Sequence, residues 1–351
     1  METLFAGLDI GGQSIKGIVV DGLGRVLVES SRATPASEGA AAVLRVAKAV
    51  ISELSGAGKI ASIGVGTPGG VDRDGVIVGM SANIAGWYGT RLGEEVSAMS
   101  AAPCGVRNDA NLAAYAEWAV RDGRPKGLLF IGLGTGIGGG YVEEGRIFGG
   151  CDDRAIEIGH IIIEPSGRRC VCGVEGCSEA YASGPSIGRV AADLARGGDA
   201  GLGSLSRAAG TARSFAGSAL AARALAGEVL NAREVYDAYA TGDSLATAVD
   251  AIVAEALART VSIALAMLAP DTVVLGGGVA AGAPHLPGRI AGLAPSHVYS
   301  DAWKHCSFER ALLSHKAGLL GAALYGASLV TGRAELLRLA STMLAESRKG
   351  A

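Results

Sequence analysis

The order of apolar and polar residues along the chain predicts short strands that alternate with helices. Continuous or alternating apolar runs predict strands over residues 4–10, 14–20, 25–30, 60–65, 128–132, 141–143 and 272–275. Apolar residues at helical spacing predict helices over residues 38–54, 112–120, 244–268, 318–330 and 333–348. Strands that alternate with helices in this way are typical of an α/β fold.

Two parts of the chain have the same order of features. A strand that includes Asp9 is followed by a glycine loop containing Ser14, a second strand and a turn. The strand over residues 128–132 is likewise followed by a glycine loop containing Thr135, a second strand and a turn. We interpret this similarity as an internal duplication, and a chain of 351 residues is long enough for two domains.

Composition and charge restrict the class of partner. The formal net charge of −3 gives no basic field, so we do not expect a nucleic-acid partner. The first residues include the acids Glu2 and Asp9 and lack a basic segment, so we expect no signal peptide and a cytoplasmic protein. The longest mainly apolar stretch, residues 261–270, is too short to span a bilayer, so no membrane partner is expected. Residues 197–210 are predicted to form a surface loop.

The segment from Gly134 to Gly139 matches the G-x-G-x-x-G pattern of dinucleotide-binding folds. That pattern requires a helix behind the loop, whereas the residues that follow predict a strand. A hairpin loop remains, which is either an ordinary turn or a phosphate site. Its backbone N–H groups can surround phosphate oxygens, and Thr135 can add a hydroxyl donor. The repetition of the loop in the duplicated segments favours phosphate binding.

The first glycine loop places a carboxylate beside backbone that can approach a phosphate. Asp9 lies at the end of a strand, and Gly11, Gly12 and Ser14 follow it. Because a carboxylate repels phosphate, we expect Asp9 to hold Mg²⁺, through water. Lys16 either supplies a positive charge to this site or is a solvated strand lysine.

Three cysteines and a histidine have the chemistry of a zinc site. His160 precedes Cys170, Cys172 and Cys177, and glycines between the cysteines allow the backbone to turn. The alternative, a group of buried free thiols, does not explain why three cysteines and two glycines lie so close together. Four protein ligands leave no open position, so the metal would organise the loop and would not activate water.

Asn108 and Asp109 stand where the N-cap of the helix over residues 112–120 is expected. Taken alone, the pair is most simply explained as a helix cap. Phosphoryl transfer, however, needs positioning and charge neutralisation, and one Asp near the attacking hydroxyl can orient it and accept its proton. The phosphate-loop and zinc motifs elsewhere in the chain therefore favour a catalytic role for Asp109.

Five motifs together resemble the ROK family, which comprises bacterial sugar kinases and related sugar-responsive repressors. They are Asp9-Ile10-Gly11-Gly12, the glycine segment 132–140, Glu157-Ile158-Gly159-His160, the cysteine segment 170–179 and Leu275-Gly276-Gly277-Gly278, in the order found in the family. The resemblance covers about residues 4–330.

The resemblance implies an actin-like ATPase fold of the ribonuclease H-like type, with the active site in the cleft between two α/β domains. Residues 1–112 would form the small domain, joined by the helix at 318–330, and residues 113–317 the large domain with its zinc loop at 160–179. Residues 331–351 would add a C-terminal helix. A homodimer is implied by the resemblance alone.

The same resemblance implies roles for individual residues, with Asp109 as the catalytic base. The implied sugar contacts are Gly69 (or Gly66 of the same turn), Asn83, Asn108, Asp109, Glu157, His160 and Glu179. The implied nucleotide contacts are Asp9, Gly11, Gly12, Ser14, Lys16, Gly132, Gly134, Thr135, Gly136, Gly276, Gly277 and Gly278. The implied ligands of the structural zinc are His160, Cys170, Cys172 and Cys177, and the metal would fix His160 and Glu179 against the sugar.

The expected activity is transfer of phosphate from ATP, with Mg²⁺, to a hexose hydroxyl, first the 6-hydroxyl of glucose. An N-acetylhexosamine, such as N-acetylglucosamine or N-acetylmannosamine, is the alternative acceptor. A sugar-sensing repressor is a further alternative, but it needs a DNA-reading segment ahead of the phosphate loop, and this loop begins at Asp9.

The sequence departs from the family pattern in the first glycine loop and in the segment before Glu157. Gln13 and Ser14 replace the commoner Thr-Lys. Ser14 and Lys16 resemble the variant found in some glucokinases of the family, including polyphosphate-using ones, so the donor is ATP or polyphosphate. Residues 151–156 replace the commoner Ala-Asn-Gly-x-Ala-Gly before Glu157, which predicts a different shape for the sugar loop.

Overall fold

The computed structural model describes residues 3–79, 83–198, 201–208, 215–299 and 301–349. The chain divides into two compact units. The first comprises Met1–Phe130, Gly140–Ile156 and Leu312–Ala351, and the second comprises Ile131–Gly139 and Glu157–Ala311. Residues 113–130, 140–156 and 312–317 lie in the first unit, whereas the sequence-based division assigns them to the large domain.

The strands of the described residues form two five-stranded sheets, which confirms the α/β class. They are β1 (Leu4–Ile10), β2 (Ser14–Asp21), β3 (Val26–Ala33), β4 (Ile60–Thr67), β5 (Cys104–Asn108), β6 (Gly127–Leu133), β7 (Ile137–Glu143), β8 (Arg146–Ile147), β9 (Thr272–Gly276) and β10 (Ser307–Arg310). The first sheet has the order β3-β2-β1-β4-β5 and the second the order β8-β7-β6-β9-β10. The same order of strands in both sheets agrees with the internal duplication.

The helices account for most of the remaining regular structure. They are α1 (Ala40–Ser55), α2 (Leu92–Ser100), α3 (Asp109–Ala119), α4 (Glu179–Ala182), α5 (Gly184–Ala195), α6 (Ala219–Leu225), α7 (Ala232–Ala240), α8 (Ser244–Leu268), α9 (Gly277–Gly282), α10 (Leu286–Leu293), α11 (Ala317–Ser328) and α12 (Arg333–Lys349). Short 3₁₀ helices lie between them, including one over Ile158–His160 and one over Gly203–Arg207.

Helix α11 packs directly on the backbone of the first sheet. A Cβ added at Gly64 of β4 would lie 2.0 Å from the carbonyl oxygen of Ala322, and one added at Gly326 would lie 2.5 Å from the nitrogen of Gly64. Side chains larger than hydrogen would therefore push helix and strand apart. This close approach holds the parallel strands β1 and β4, whose carboxyl ends carry candidate site residues, against a rigid helix.

Helix α3 is fixed at its far end by a buried charge pair. Glu117 and Arg121, one turn apart, form a salt bridge in the interior. The Glu117 carboxylate also accepts hydrogen bonds from the backbone N–H groups of Leu312 and Leu313, at 3.0 and 2.9 Å. A buried carboxylate needs such partners, and these tie α3 to the segment that leads into α11.

Helix α8 is the core helix of the second unit. Its length and composition would allow it to cross a membrane. The apolar stretch is therefore longer than the predicted residues 261–270. Most of the helix, however, is buried inside the fold, including the polar residues Asp250 and Thr260. A long apolar helix enclosed in this way is what a protein core requires.

Two predicted loops contain regular structure. Gly138, Gly139 and Gly140 belong to strand β7, because the turn after β6 is complete before Ile137. In the predicted loop over residues 197–210, the chain forms a 3₁₀ helix whose Leu205 is fully buried. The glycine-rich composition predicts a loop, but the buried Leu205 attaches the segment to the core. Residues 199–200 and 209–210 lie outside the described residues.

Candidate active site

Parallel strands of the first sheet end side by side and place the first group of candidate residues. Asp9 of β1 pairs with Gly66 of β4, and Gly66 pairs with Arg107 of β5. Asn108 ends β5, and α3 begins at the next residue, Asp109. The carboxyl ends of parallel strands in α/β sheets are where ligands usually bind. The register therefore brings Asp9 and Asp109 to the same sheet edge.

Asn108 caps helix α3, as the sequence predicts. Its Oδ1 accepts hydrogen bonds from the N–H groups of Ala110 and Asn111, at 3.0 and 3.3 Å. Its Nδ2 donates to the carbonyl oxygen of Gly69, at 3.3 Å. One side chain thus joins the helix start to the turn after β4, which brings two of the predicted sugar contacts together.

Replacing Asn108 with Ala should lower the free energy of unfolding by about 1 kcal/mol, because it removes the N-cap acceptor. Urea unfolding of the wild type and the variant measures the difference. Asn83→Ala is the control, since Asn83 is exposed and lies outside the helices. Equal free energies for Asn108→Ala and the wild type would contradict the capping role.

Two glycines leave room around both acidic residues. A Cβ added at Gly66 would lie 3.6 Å from Asp9 Oδ1 and 3.7 Å from Asp109 Cα. A Cβ added at Gly318 would lie 3.6 Å from Asp9 Oδ2 and 3.9 Å from the Asp109 carbonyl oxygen. Burial raises the pKa of the Asp9 carboxyl, and the charge of Lys16, its partner across the sheet, opposes the shift. A bound cation would offset the cost of this buried charge.

The first glycine loop forms a tight turn next to a predicted sugar contact. The N–H of Gly11 donates to the carbonyl oxygen of Ser14 at 2.9 Å, which closes the turn between β1 and β2. A Cβ added at Gly12 would lie 2.9 Å from the Cβ of Asn83. Asn83 itself is exposed, so its amide is available to a ligand.

Asp153 is a buried residue that contacts a predicted sugar contact, and the sequence does not predict this. Its carboxylate pairs with Arg107 at 3.0 Å and accepts the backbone N–H of Asn108 at 3.2 Å. The residues between Gly150 and Glu157 differ from the family pattern, and this difference is the one signal that marks the segment in the sequence.

The four predicted zinc ligands lie together in the second unit. Their ligand atoms are all within 4.8 Å of one another. Sγ of Cys172 and Sγ of Cys177 are 3.7 Å apart, and Sγ of Cys170 lies 3.8 Å from Nδ1 of His160. Ligands about 2.3 Å from a tetrahedral zinc are separated by about 3.8 Å, so these spacings fit that ion.

Glu179 connects the cysteine cluster to the second glycine loop. Its Oε2 accepts the N–H of Ile137 at 2.7 Å, and its Oε1 lies 3.6 Å from Sγ of Cys170. A Cβ added at Gly136 would lie 2.6 Å from Oε2, so only glycine allows this approach. Glu179, a predicted sugar contact, is therefore held from two sides, by the cysteine cluster and by the predicted phosphate loop.

The other two predicted sugar contacts of this unit lie at the ends of a 3₁₀ turn, with Glu157 just before it and His160 as its last residue. Glu157 precedes the turn and is exposed, and its carbonyl oxygen accepts the N–H of His160 at 3.0 Å. The turn thus links Glu157 directly to a residue of the cysteine cluster.

A cavity of 1040 Å³ lies entirely within the second unit and contains part of the predicted nucleotide site. Gly134, Thr135 and Gly278 line it. Gly132, Gly136, Gly276 and Gly277 do not. Gly277 instead has φ of 86° and packs on Leu133, so it serves the turn from β9 into α9.

Most of the cavity wall is not predicted from the sequence. It comes from the start of α5, the segment before α7 and α7 itself, and it includes Gly184, Arg189, Val229, Leu230, Asn231, Arg233 and Tyr236. These residues carry no motif. A mixed apolar and polar cavity of this size can enclose a ligand as large as a nucleotide.

Comparisons with known proteins agree with the motifs. The ROK family model matches residues 5–327. A glucokinase of Thermotoga maritima is 30% identical over 318 residues, which covers 90% of this chain and 95% of the relative. An N-acetylmannosamine kinase of Escherichia coli strain 55989 is 28% identical over 318 residues, with 90% and 96% covered.

A solved structure shows the same architecture. A ROK family glucokinase from Streptomyces griseus, in complex with glucose and AMPPNP, is 27% identical, with a TM-score of 0.71 and 93% and 100% of the two chains covered. The family match, the sequence identity and the fold therefore agree, and the chain belongs to the ROK family.

Proposed function

We propose that this protein is a sugar kinase that transfers the γ-phosphoryl group of ATP to a hexose hydroxyl, first the 6-hydroxyl of glucose. The observation that carries the proposal is that the Asp9 carboxylate and the backbone of Asp109 both lie beside Gly66 and Gly318, at the carboxyl edge of the first sheet. In a chain of this family, this supports a reaction in which the Asp109 carboxylate accepts a hydroxyl proton and the Asp9 carboxylate holds a cation.

Asp109 is the general base of the proposed reaction. It is the first residue of α3, where the helix dipole favours a negative charge. Its Oδ1 already accepts the N–H of Ala110 at 2.8 Å, which orients the group. A fixed carboxylate can then align the sugar hydroxyl and take its proton as the phosphoryl group arrives.

The remaining residues divide into sugar and nucleotide contacts. Gly69, Asn83, Asn108, Glu157, His160 and Glu179 are the proposed sugar contacts, since hydroxyls need converging donors and acceptors. The nucleotide is proposed to use the loop residues of the first unit (Asp9, Gly11, Gly12, Ser14 and Lys16) and the cavity lined by Gly134, Thr135 and Gly278. Gly132, Gly136, Gly276 and Gly277 would shape the backbone there.

Two metals fit the residues. Asp9 would hold Mg²⁺, because burial already disfavours its charge and a cation would relieve this. Bound with the nucleotide, the ion would neutralise charge on the phosphates. The cysteine cluster would hold a structural zinc ion.

We also propose an actin-like ATPase fold, a cytoplasmic location and a homodimer.

An N-acetylhexosamine is the second candidate acceptor. The relatives include both a glucokinase and an N-acetylmannosamine kinase at similar identity. The two acceptors differ by an acetamido group, and the unusual segment before Glu157 would decide whether the pocket accepts it.

A coupled assay with ATP and Mg²⁺, run across glucose, mannose, fructose, N-acetylglucosamine and N-acetylmannosamine, tests the proposal. We expect one sugar, glucose, to have the highest kcat/KM. Preference for N-acetylmannosamine would establish the second candidate. The same series with polyphosphate identifies the donor. Absence of turnover with every sugar and both donors would refute the kinase assignment.

A further inference from the structure

The segment from Gly150 to Ile156 has a backbone that is unusual for its residue types. Asp152, Asp153 and Ile156 have φ values of 55°, 50° and 63°. This left-handed region is disfavoured for residues with a Cβ, and most strongly for a β-branched residue such as Ile156. Such a backbone persists only where its surroundings hold it, and it is concentrated at functional sites.

The contacts that hold this segment converge on Asp153. Its side chain is 1% exposed and accepts hydrogen bonds from the Arg107 guanidinium at 3.0 Å and from the N–H of Asn108 at 3.2 Å. Arg107 is itself fixed, because its Nε donates to the Tyr325 hydroxyl at 2.8 Å. A Cβ added at Gly149 would lie 2.0 Å from Asp153 Oδ1, so the carboxylate has no free space on that side.

The neighbours of Asp153 attach the segment to the turn after β4. The carbonyl oxygen of Asp152 accepts the N–H of Val71 at 2.9 Å, and Arg154 donates to the carbonyl oxygen of Val78 at 2.6 Å. A Cβ added at Gly70 would lie 2.7 Å from Cγ of Arg154. The segment is therefore held against the same turn that receives the amide of Asn108.

We propose that Asp153 is a positioning residue for phosphoryl transfer. Its carboxylate fixes Arg107 and the backbone of Asn108, and so sets the place of the Asn108 side chain and of Asp109. The inference rests on the proposed function, because it assumes that these two residues meet the sugar. Asp153 acts through them, and its buried charge is satisfied by the groups that it positions.

The test is Asp153→Asn. An amide presents only one acceptor, so its NH₂ must face either the guanidinium or the N–H of Asn108, both of which are donors. We expect the sugar KM to rise about tenfold and kcat to fall about tenfold. The ATP KM should change less than about twofold, since the hydrogen bonds of Asp153 go to Arg107 and Asn108, and neither residue is a proposed nucleotide contact. Partial unfolding would lower kcat but would not raise the sugar KM more than the ATP KM.

Asp122→Asn is the matched control, because it makes the same chemical change at an exposed left-handed residue outside the sugar loop. It should leave the sugar KM unchanged. A folded Asp153→Asn enzyme with wild-type sugar KM and kcat would overturn the inference. If that variant does not fold, Asp153→Gly replaces it, because glycine adopts φ of 50° without strain; it is judged by the same constants.

Calorimetric titration with glucose and with N-acetylmannosamine separates this inference from the proposed function. A wild type that binds one of these sugars but does not phosphorylate it would refute the proposed function alone. Weaker binding by Asp153→Asn would then still support the positioning role, and equal binding would overturn it. A wild type that neither binds nor phosphorylates any sugar would overturn both.

Discussion

Asp109→Asn is expected to lower kcat for sugar phosphorylation by roughly 10²–10⁴-fold, the usual contribution of a general base. The amide has the same shape, and its oxygen can still accept the N–H of Ala110, so α3 should begin at the same place. What is lost is the ability to accept the hydroxyl proton. Steady-state kinetics on the preferred sugar measures kcat, and calorimetry measures sugar affinity, which should change by less than about threefold.

Asp74→Asn is a control for the loss of one negative charge in the first unit. Asp74 is exposed and lies in a surface turn, so this variant should keep wild-type kinetics. If Asp109→Asn turned over sugar as fast as the wild type, Asp109 would not be the base, and its role would be limited to the start of the helix. A decrease in sugar affinity equal to the decrease in kcat would assign it to binding instead.

Local sequence signals predict the elements and the residues that belong to motifs. Strand β1 and helix α8 have the predicted bounds, because their apolar patterns and flanking residues are unambiguous. Asn108 is confirmed as an N-cap, since capping depends on the residue type and on the adjacent helix alone. The four residues of the cysteine cluster are confirmed to lie together, since they are spaced for one loop.

The sequence does not predict contacts between segments that are distant along the chain. Asp153 reaches Arg107 across 46 positions of sequence, and nothing local to either residue indicates the pair. The walls of the cavity in the second unit come from α5, α7 and the segment between α6 and α7, which carry no motif. The start of β7 is also missed, because a glycine-rich strand has too few side chains to show an alternating pattern.

Cys172→Ser is expected to weaken zinc binding at least about 100-fold, because changes to groups that merely support a metal ligand already cost 10–100-fold. The purified wild type should contain about one zinc ion per chain, and the variant far less. Loss of the ion should free Cys170 and, with it, Glu179, whose Oε1 lies 3.6 Å from the Cys170 sulfur. The sugar KM should therefore rise, and the thermal midpoint should fall.

Elemental analysis of the purified proteins measures the zinc content directly, and a thermal scan with and without a chelator measures its effect on stability. Cys306→Ser is the matched control, since Cys306 lies outside the cluster and the same change there should keep both zinc and activity. A wild type that is fully active and equally stable without zinc would refute the structural metal. A variant that loses zinc but keeps the wild-type sugar KM would show that the cluster stabilises its loop without holding Glu179 for the sugar, because the bond from Ile137 to Glu179 would then be sufficient.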